Sequence, residues 1–187
     1  MAASFPIERG RAVFADRVRA AVDTHYDALW RFLRRLGVGE NHAEDAVQQV
    51  LLVFARRAPG IAAEADRAFL FGTALRVASD MRRKGQRAPE ILGDQALRVQ
   101  PHPGPDAERQ VADRELLRCL DRILDQLGAE LRVVFVLAEL EEMTMAQIAG
   151  ILCIPHGTVA SRLRRARELF EARAVELRAQ IDGGSSR

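Results

Sequence analysis

Four arginines crowd into the six residues from Arg162 to Arg167, behind Pro155, Gly157 and Thr158, in the run IPHGTVASRLRRARELF. A guanidinium makes and breaks no bonds; it offers a planar fork of donors that pairs with phosphates or guanine edges. The chemistry open to this stretch is therefore noncovalent recognition of something negative. On a helical wheel of about 100° per residue, Val159, Leu163, Ala166 and Phe170 fall within about 60° of one another and should face a core. Gly157, Ala160, Ser161, Arg164 and Arg165 point the opposite way, with Arg162 and Arg167 on the flanks. Small residues on that outward face permit close backbone approach, and the first-turn amides suit a phosphate. No acid occurs between Thr144 and Arg167, so within that span nothing neutralises the arginines. A solvated basic face is the alternative, and the residues upstream decide against it. Thr144 and Gln147 have capping-box spacing, Ile148, Ala149 and Leu152 form an inward side, and only Cys153 and Ile154 intervene before Pro155. A short helix, a tight turn and a longer helix make a helix-turn-helix.

No catalytic constellation competes with this one. His25, His42, His102 and His156 are scattered, without nucleophile-base spacing, a phosphate-binding glycine loop or paired metal ligands. The two cysteines, Cys119 and Cys153, lie in no metal-ligand spacing and read as small buried apolar residues. No catalytic residue, metal, cofactor or small-molecule substrate is expected.

The elements that must position the arginines are helical. The chain has 187 residues, 48% hydrophobic and 29% charged, enough for one ordinary core or two small ones. Its formal net charge of +2 selects no partner, so the placement of charge has to carry the functional reading. Apolar residues at three- and four-residue intervals predict a helix over Val13–Leu36, stopped by Gly37 and Gly39. A second helix should start near Asn41 as N-cap and end at Pro59-Gly60, and a third should run from Ala65 to Arg83 with Gly85 just beyond. Pro89, Pro101, Pro103 and Pro105, with Gly93 and Gly104, predict a flexible linker over residues 86–110, able to span roughly 80 Å when extended. Helical periodicity resumes at Val111. Val133 to Val136 are β-branched or aromatic, yet with no second strand to pair with they read as helix. The fold class expected is all-α: two small helical domains, 8–85 and 111–181, joined by the linker, with a disordered tail over 182–187. The N-terminal run carries acids and arginines where a signal peptide needs an apolar stretch, so a cytoplasmic location is expected.

Over Leu131 to Phe170 the sequence resembles the sigma-70 family of bacterial RNA polymerase sigma factors, in its extracytoplasmic-function branch. Gly157, Thr158, Val159, Ser161 and Arg162 fit the family's Ile-Pro-x-Gly-Thr-Val-x-Ser-Arg run, which in region 4 opens the helix that reads the promoter's minus 35 element. The resemblance implies minus 35 contacts from His156, Gly157, Thr158 and Ala160, and from Ser161, Arg162, Arg164 and Arg165. Cys153 stands where the family usually has glycine, and Ala160 where lysine is frequent. A side chain at Cys153 costs on the order of 1 kcal/mol if the backbone there is left-handed.

The N-terminal half resembles region 2. Ala43 to Arg57 is similar to the region 2.2 helix that docks on the polymerase clamp, which implies a polymerase contact through Asp45, Gln48 and Gln49. Phe69 to Arg87 is similar to regions 2.3 and 2.4, which implies reading of the melted minus 10 element by Arg76, Asp80, Arg82, Arg83 and Lys84. Arg76 occupies the family's usual asparagine position. Phe69 and Phe71 could stack on unpaired bases, although aromatics at such spacing are usually core. The partners implied are core RNA polymerase, promoter DNA that is double-stranded at minus 35 and melted at minus 10, and an anti-sigma factor. The competing reading is a helix-turn-helix regulator that binds DNA without polymerase.

Overall fold

The computed structural model describes the backbone of residues 6–87 and 107–184, with side-chain environments over 14–83 and 116–179. The backbone divides into two compact units, Met1–Glu90 and Ile91–Arg187. Every regular element among the described residues is helical, in agreement with the all-α expectation.

The first unit holds α1 (Pro6–Arg35), α2 (Glu40–Arg57) and α3 (Asp66–Arg87), which pack pairwise around one core. Leu29, Phe32 and Leu33 of α1, Val47, Val50 and Phe54 of α2, and Leu70, Phe71 and Ala74 of α3 are fully buried. Each such large side chain contributes about 1.5–3 kcal/mol by leaving water. The Phe32 and Phe71 rings meet edge to face, with centroids 5.0 Å apart, the arrangement the ring quadrupoles favour.

Two corners shape this unit. Gly37 takes a left-handed conformation (φ 88°), and the Val38 amide donates back to the Leu33 carbonyl at 3.1 Å. That is the closure of a Schellman motif, with Leu33 and Val38 both buried beside it. At the second corner Arg17 of α1 donates to the carbonyls of Ala58 and Ile61 at 3.0 and 2.8 Å and pairs with Asp66. One guanidinium thus ties α1 to the turn joining α2 and α3. Nearby, burial first and then the Arg67 charge hold the His25 imidazole below its usual basicity.

Several boundaries differ from expectation. The first helix begins at Pro6 rather than Val13. The second is preceded by Gly39 in an extended conformation with no side-chain cap, so Asn41 lies inside the helix, where its side chain cannot cap it. The third runs through Gly85 to Arg87; Gly85 does not stop it, because a single glycine inside a helix costs only about 1 kcal/mol.

The second unit holds α4 (Ala107–Gln126), α5 (Ala129–Phe135), α6 (Met145–Leu152) and α7 (His156–Gly184). A turn of π-helix over Val136–Leu140 follows α5, so Val133 to Val136 are helical as expected. Of the predicted linker, residues 86–87 close α3 and 107–110 open α4, while 88–106 lie outside the described residues. Of the predicted tail, 182–184 are helical and 185–187 lie outside the described residues.

Phe71 is completely buried whereas Phe69 is half-buried, 6.2 Å from Phe54. Phe71→Ala should therefore cost about 3–5 kcal/mol of unfolding free energy, read as an earlier urea midpoint. Phe69→Ala should cost distinctly less, and equal losses would contradict these placements.

Candidate nucleic-acid interface

The helix-turn-helix forms as its residues dictate. The Thr144 hydroxyl accepts from the Gln147 amide at 3.3 Å, and the Gln147 side chain accepts from the Thr144 amide at 2.9 Å, so both halves of the capping box are made and α6 starts there. At its other end the Ile154 amide donates to the Ala149 carbonyl at 3.2 Å, and Cys153 adopts a left-handed conformation, φ 53° and ψ 42°. The backbone conformation that makes a side chain costly at this position is present. Cys153 is exposed and Cys119 half-buried. Neither is the small buried residue expected: Cys153 stands exposed at the corner of the turn, and Cys119 is only partly covered on α4. Glu142, on the approach to α6, is also left-handed, φ 49°, so non-glycine residues in that conformation flank α6 on both sides.

Pro155 directly precedes α7, and its carbonyl accepts from the Thr158 and Val159 amides at 2.9 and 3.2 Å. α7 then docks through its apolar strip. Val159, Leu163 and Ala166 are buried with Ile148 of α6, and Phe170 stacks on Phe135 of α5 with centroids 4.6 Å apart. With that strip fixed, the opposite face must point outward. His156, Gly157, Ser161, Arg164 and Arg165 are exposed, and Thr158 and Ala160 are half-buried. A Cβ added to Gly157 would meet no atom within 4 Å, so nothing in the fold itself requires glycine there. The Ser161 hydroxyl donates to the Thr158 carbonyl of its own helix at 3.1 Å.

The arginines divide into two sets. Arg162, on the flank, donates to Glu130 of α5 at 2.6 Å, and Arg167 donates to Glu139 of the π turn at 2.6 Å. Arg164 and Arg165 lie 3.2 and 3.6 Å from Glu168 on their own helix. The span from Thr144 to Arg167 is free of acids, yet carboxylates from outside it reach all four arginines. Spacing along α7 could not reveal Glu130 and Glu139, because the fold brings them in from 32 and 28 residues away.

In the first unit Asp45, Gln48 and Gln49 are exposed side by side on α2. Leu52, one turn further, is 58% exposed. Sequence reasoning did not single it out, although it lies on the polar side of the helical wheel, where a leucine is out of place. On α3, Arg76, Asp80 and Arg83 share an exposed face, with Asp80 and Arg83 in an ion pair, and Arg82 is half-buried. Lys84 lies on the same helix, its side chain outside the described residues. The two groups are thus on different helices of one unit, and the α7 residues belong to the other. Among the described residues no group of three or more His, Cys, Asp or Glu side chains could hold a metal ion.

A capped short helix, a left-handed turn and a docked helix with an arginine-bearing outer face define a helix-turn-helix protein. Residues 117–170 match the family model described as sigma-70, region 4. The chain is 35% identical over 172 residues to the ECF RNA polymerase sigma factor SigL of Mycobacterium tuberculosis, covering 90% of this chain and 92% of that one. It is 34% identical over 162 residues to the RNA polymerase sigma-E factor of Streptomyces avermitilis, covering 84% and 87%. Its fold is similar to that of the sigma factor RpoE of Bartonella quintana, solved with the anti-sigma factor NepR, at a TM-score of 0.66 and 21% identity over 83% of this chain and 95% of that one. The chain belongs to the extracytoplasmic-function (ECF) RNA polymerase sigma factors.

Cys153→Gly should stabilise the second unit by about 1 kcal/mol, because glycine adopts the left-handed corner without the Cβ clash. The shift is read in chemical denaturation, and a destabilised variant would contradict the backbone conformation at this residue.

Proposed function

We propose that this sigma factor binds core RNA polymerase and directs it to promoters held at two places. The second unit reads the double-stranded minus 35 element with α7: His156, Gly157, Thr158 and Ala160 lie closest to its N-terminus, followed by Ser161, Arg162, Arg164 and Arg165. The first unit docks on the polymerase through Asp45, Gln48 and Gln49 of α2, with Leu52 as an apolar anchor beside them. Its α3 holds the melted minus 10 strand through Arg76, Asp80, Arg82, Arg83 and Lys84. In this domain reading, residues 8–85 and 111–181 carry the two activities, and 86–110 tether them.

The observation that carries the reading is the two-sidedness of α7. Val159 and Ala166 are completely buried, while on the other side Arg164 and Arg165 are 76% and 64% exposed. Arginine supports it further by offering the bidentate geometry that guanine O6 and N7 accept. Each unit alone makes few contacts, and unstacking bases costs a few kcal/mol per step. Carriage by one polymerase makes the second contact intramolecular, which raises its effective concentration without any new contact. The bond-making chemistry belongs to the polymerase, and the sigma factor supplies position.

Among the described residues no helix is long and apolar enough to cross a membrane, which accords with a cytoplasmic protein. The Bartonella neighbour is named in complex with an anti-sigma factor, which supports a partner of that kind here.

Arg165→Ala, assayed in the full chain with core polymerase, should reduce run-off transcription from a promoter it activates by roughly tenfold or more, the loss expected for one base contact. Core binding, measured in the same preparation, should be unchanged. Equal loss of both would make Arg165 a structural residue.

A further inference from the structure

Each arginine from Arg162 to Arg167 meets a carboxylate, but the carboxylates differ in what they hold. Glu130 and Glu139 come from outside α7 and fasten Arg162 and Arg167 to the packed side of the unit. Glu168 fastens nothing between elements. Its two oxygens engage two arginines of its own helix, Oε1 facing Arg164 at 3.2 Å and Oε2 facing Arg165 at 3.6 Å. Glu168 is 47% exposed and both guanidiniums are more so, so these pairs contribute little to stability. What they do is place one negative charge between the two most outward-facing of these four arginines.

We infer that Glu168 is a specificity-determining residue for duplex recognition, competing with backbone phosphates for Arg164 and Arg165. This rests on α7 being the helix that meets duplex DNA. Nonspecific affinity comes almost entirely from cations that neutralise phosphates and release counterions. An arginine already facing a carboxylate releases fewer, and the carboxylate itself repels an approaching phosphate. A base edge answers differently. Either partner can take the guanidinium fork in two hydrogen bonds, but guanine O6 and N7 are neutral acceptors, so the carboxylate does not repel them as it repels a phosphate. Glu168 therefore weakens the hold on arbitrary sequence more than on a matching one.

The test uses the full chain bound to core polymerase, wild type and Glu168→Gln, with a random-sequence duplex pool titrated across a salt series and the bound fraction sequenced. Glu168→Gln should tighten binding to the unselected pool by about threefold at low salt. It should steepen the slope of log affinity against log salt by about one and lower the enrichment of the favoured sequence. Glu171→Gln removes the same charge from an exposed acid of the same helix and should leave that enrichment unchanged. Equal tightening of favoured and unfavoured duplexes, no change in either, or the same result from Glu171→Gln would overturn the inference. So would a lowered thermal midpoint of Glu168→Gln, which would mark the residue as structural. Failure of the wild-type complex to enrich any duplex would instead remove the reading of α7 itself.

Discussion

Val159, Leu163 and Ala166 lock one side of α7 against α5 and α6, and that burial decides where every other side chain of the helix points. With about 100° between successive residues, fixing three positions of one strip leaves the helix no rotational freedom. The arginine-bearing face is outward because the apolar face is committed inward. A tight turn makes the commitment possible: Thr144 and Gln147 start α6, Cys153 reverses the chain, and α7 leaves directly after Pro155. The turn is short enough that Ile148 and Val159 are both completely buried.

Charge is arranged on top of that packing. The exposed pair from Arg164 and Arg165 to Glu168 is loose and solvated, whereas Arg162 is mostly covered, with 26% of its side chain exposed beside Glu130. The flank arginines thus fasten the helix, and the outward ones stay available to a ligand. The first unit shows a similar division. Arg17 is consumed by the corner between α2 and α3, where it serves two carbonyls and Asp66, while Arg76 remains exposed on α3.

Much of this was legible in the residues. The wheel positions of Val159, Leu163 and Ala166, the Thr144–Gln147 spacing and the three-helix periodicity of the first unit depend on local repeats, and local repeats survive folding. What escaped depends on distance or backbone angle. Glu130 and Glu139 reach the arginines only after folding, and the exposure of Cys153 follows from a left-handed corner whose φ no spacing rule reports. Gly85 reads as a stop signal, yet α3 continues through it. Leu52 was legible in principle, as an apolar residue on the polar face of α2, opposite the stripe formed by Val47, Val50 and Phe54.

Dependence on the polymerase is the most exposed consequence of this division of labour. Two small units that each bring one helix to the DNA should hold duplex weakly until one machine carries both. The direct measurement is retention of duplex fragments from a random genomic library by the purified chain alone and by the chain assembled with core polymerase. The chain alone should retain no preferred sequence, and the assembled complex should retain a defined subset and start RNA chains from it. Tight, sequence-specific retention by the free chain, or no RNA synthesis from the assembled complex, would contradict promoter recognition through the polymerase.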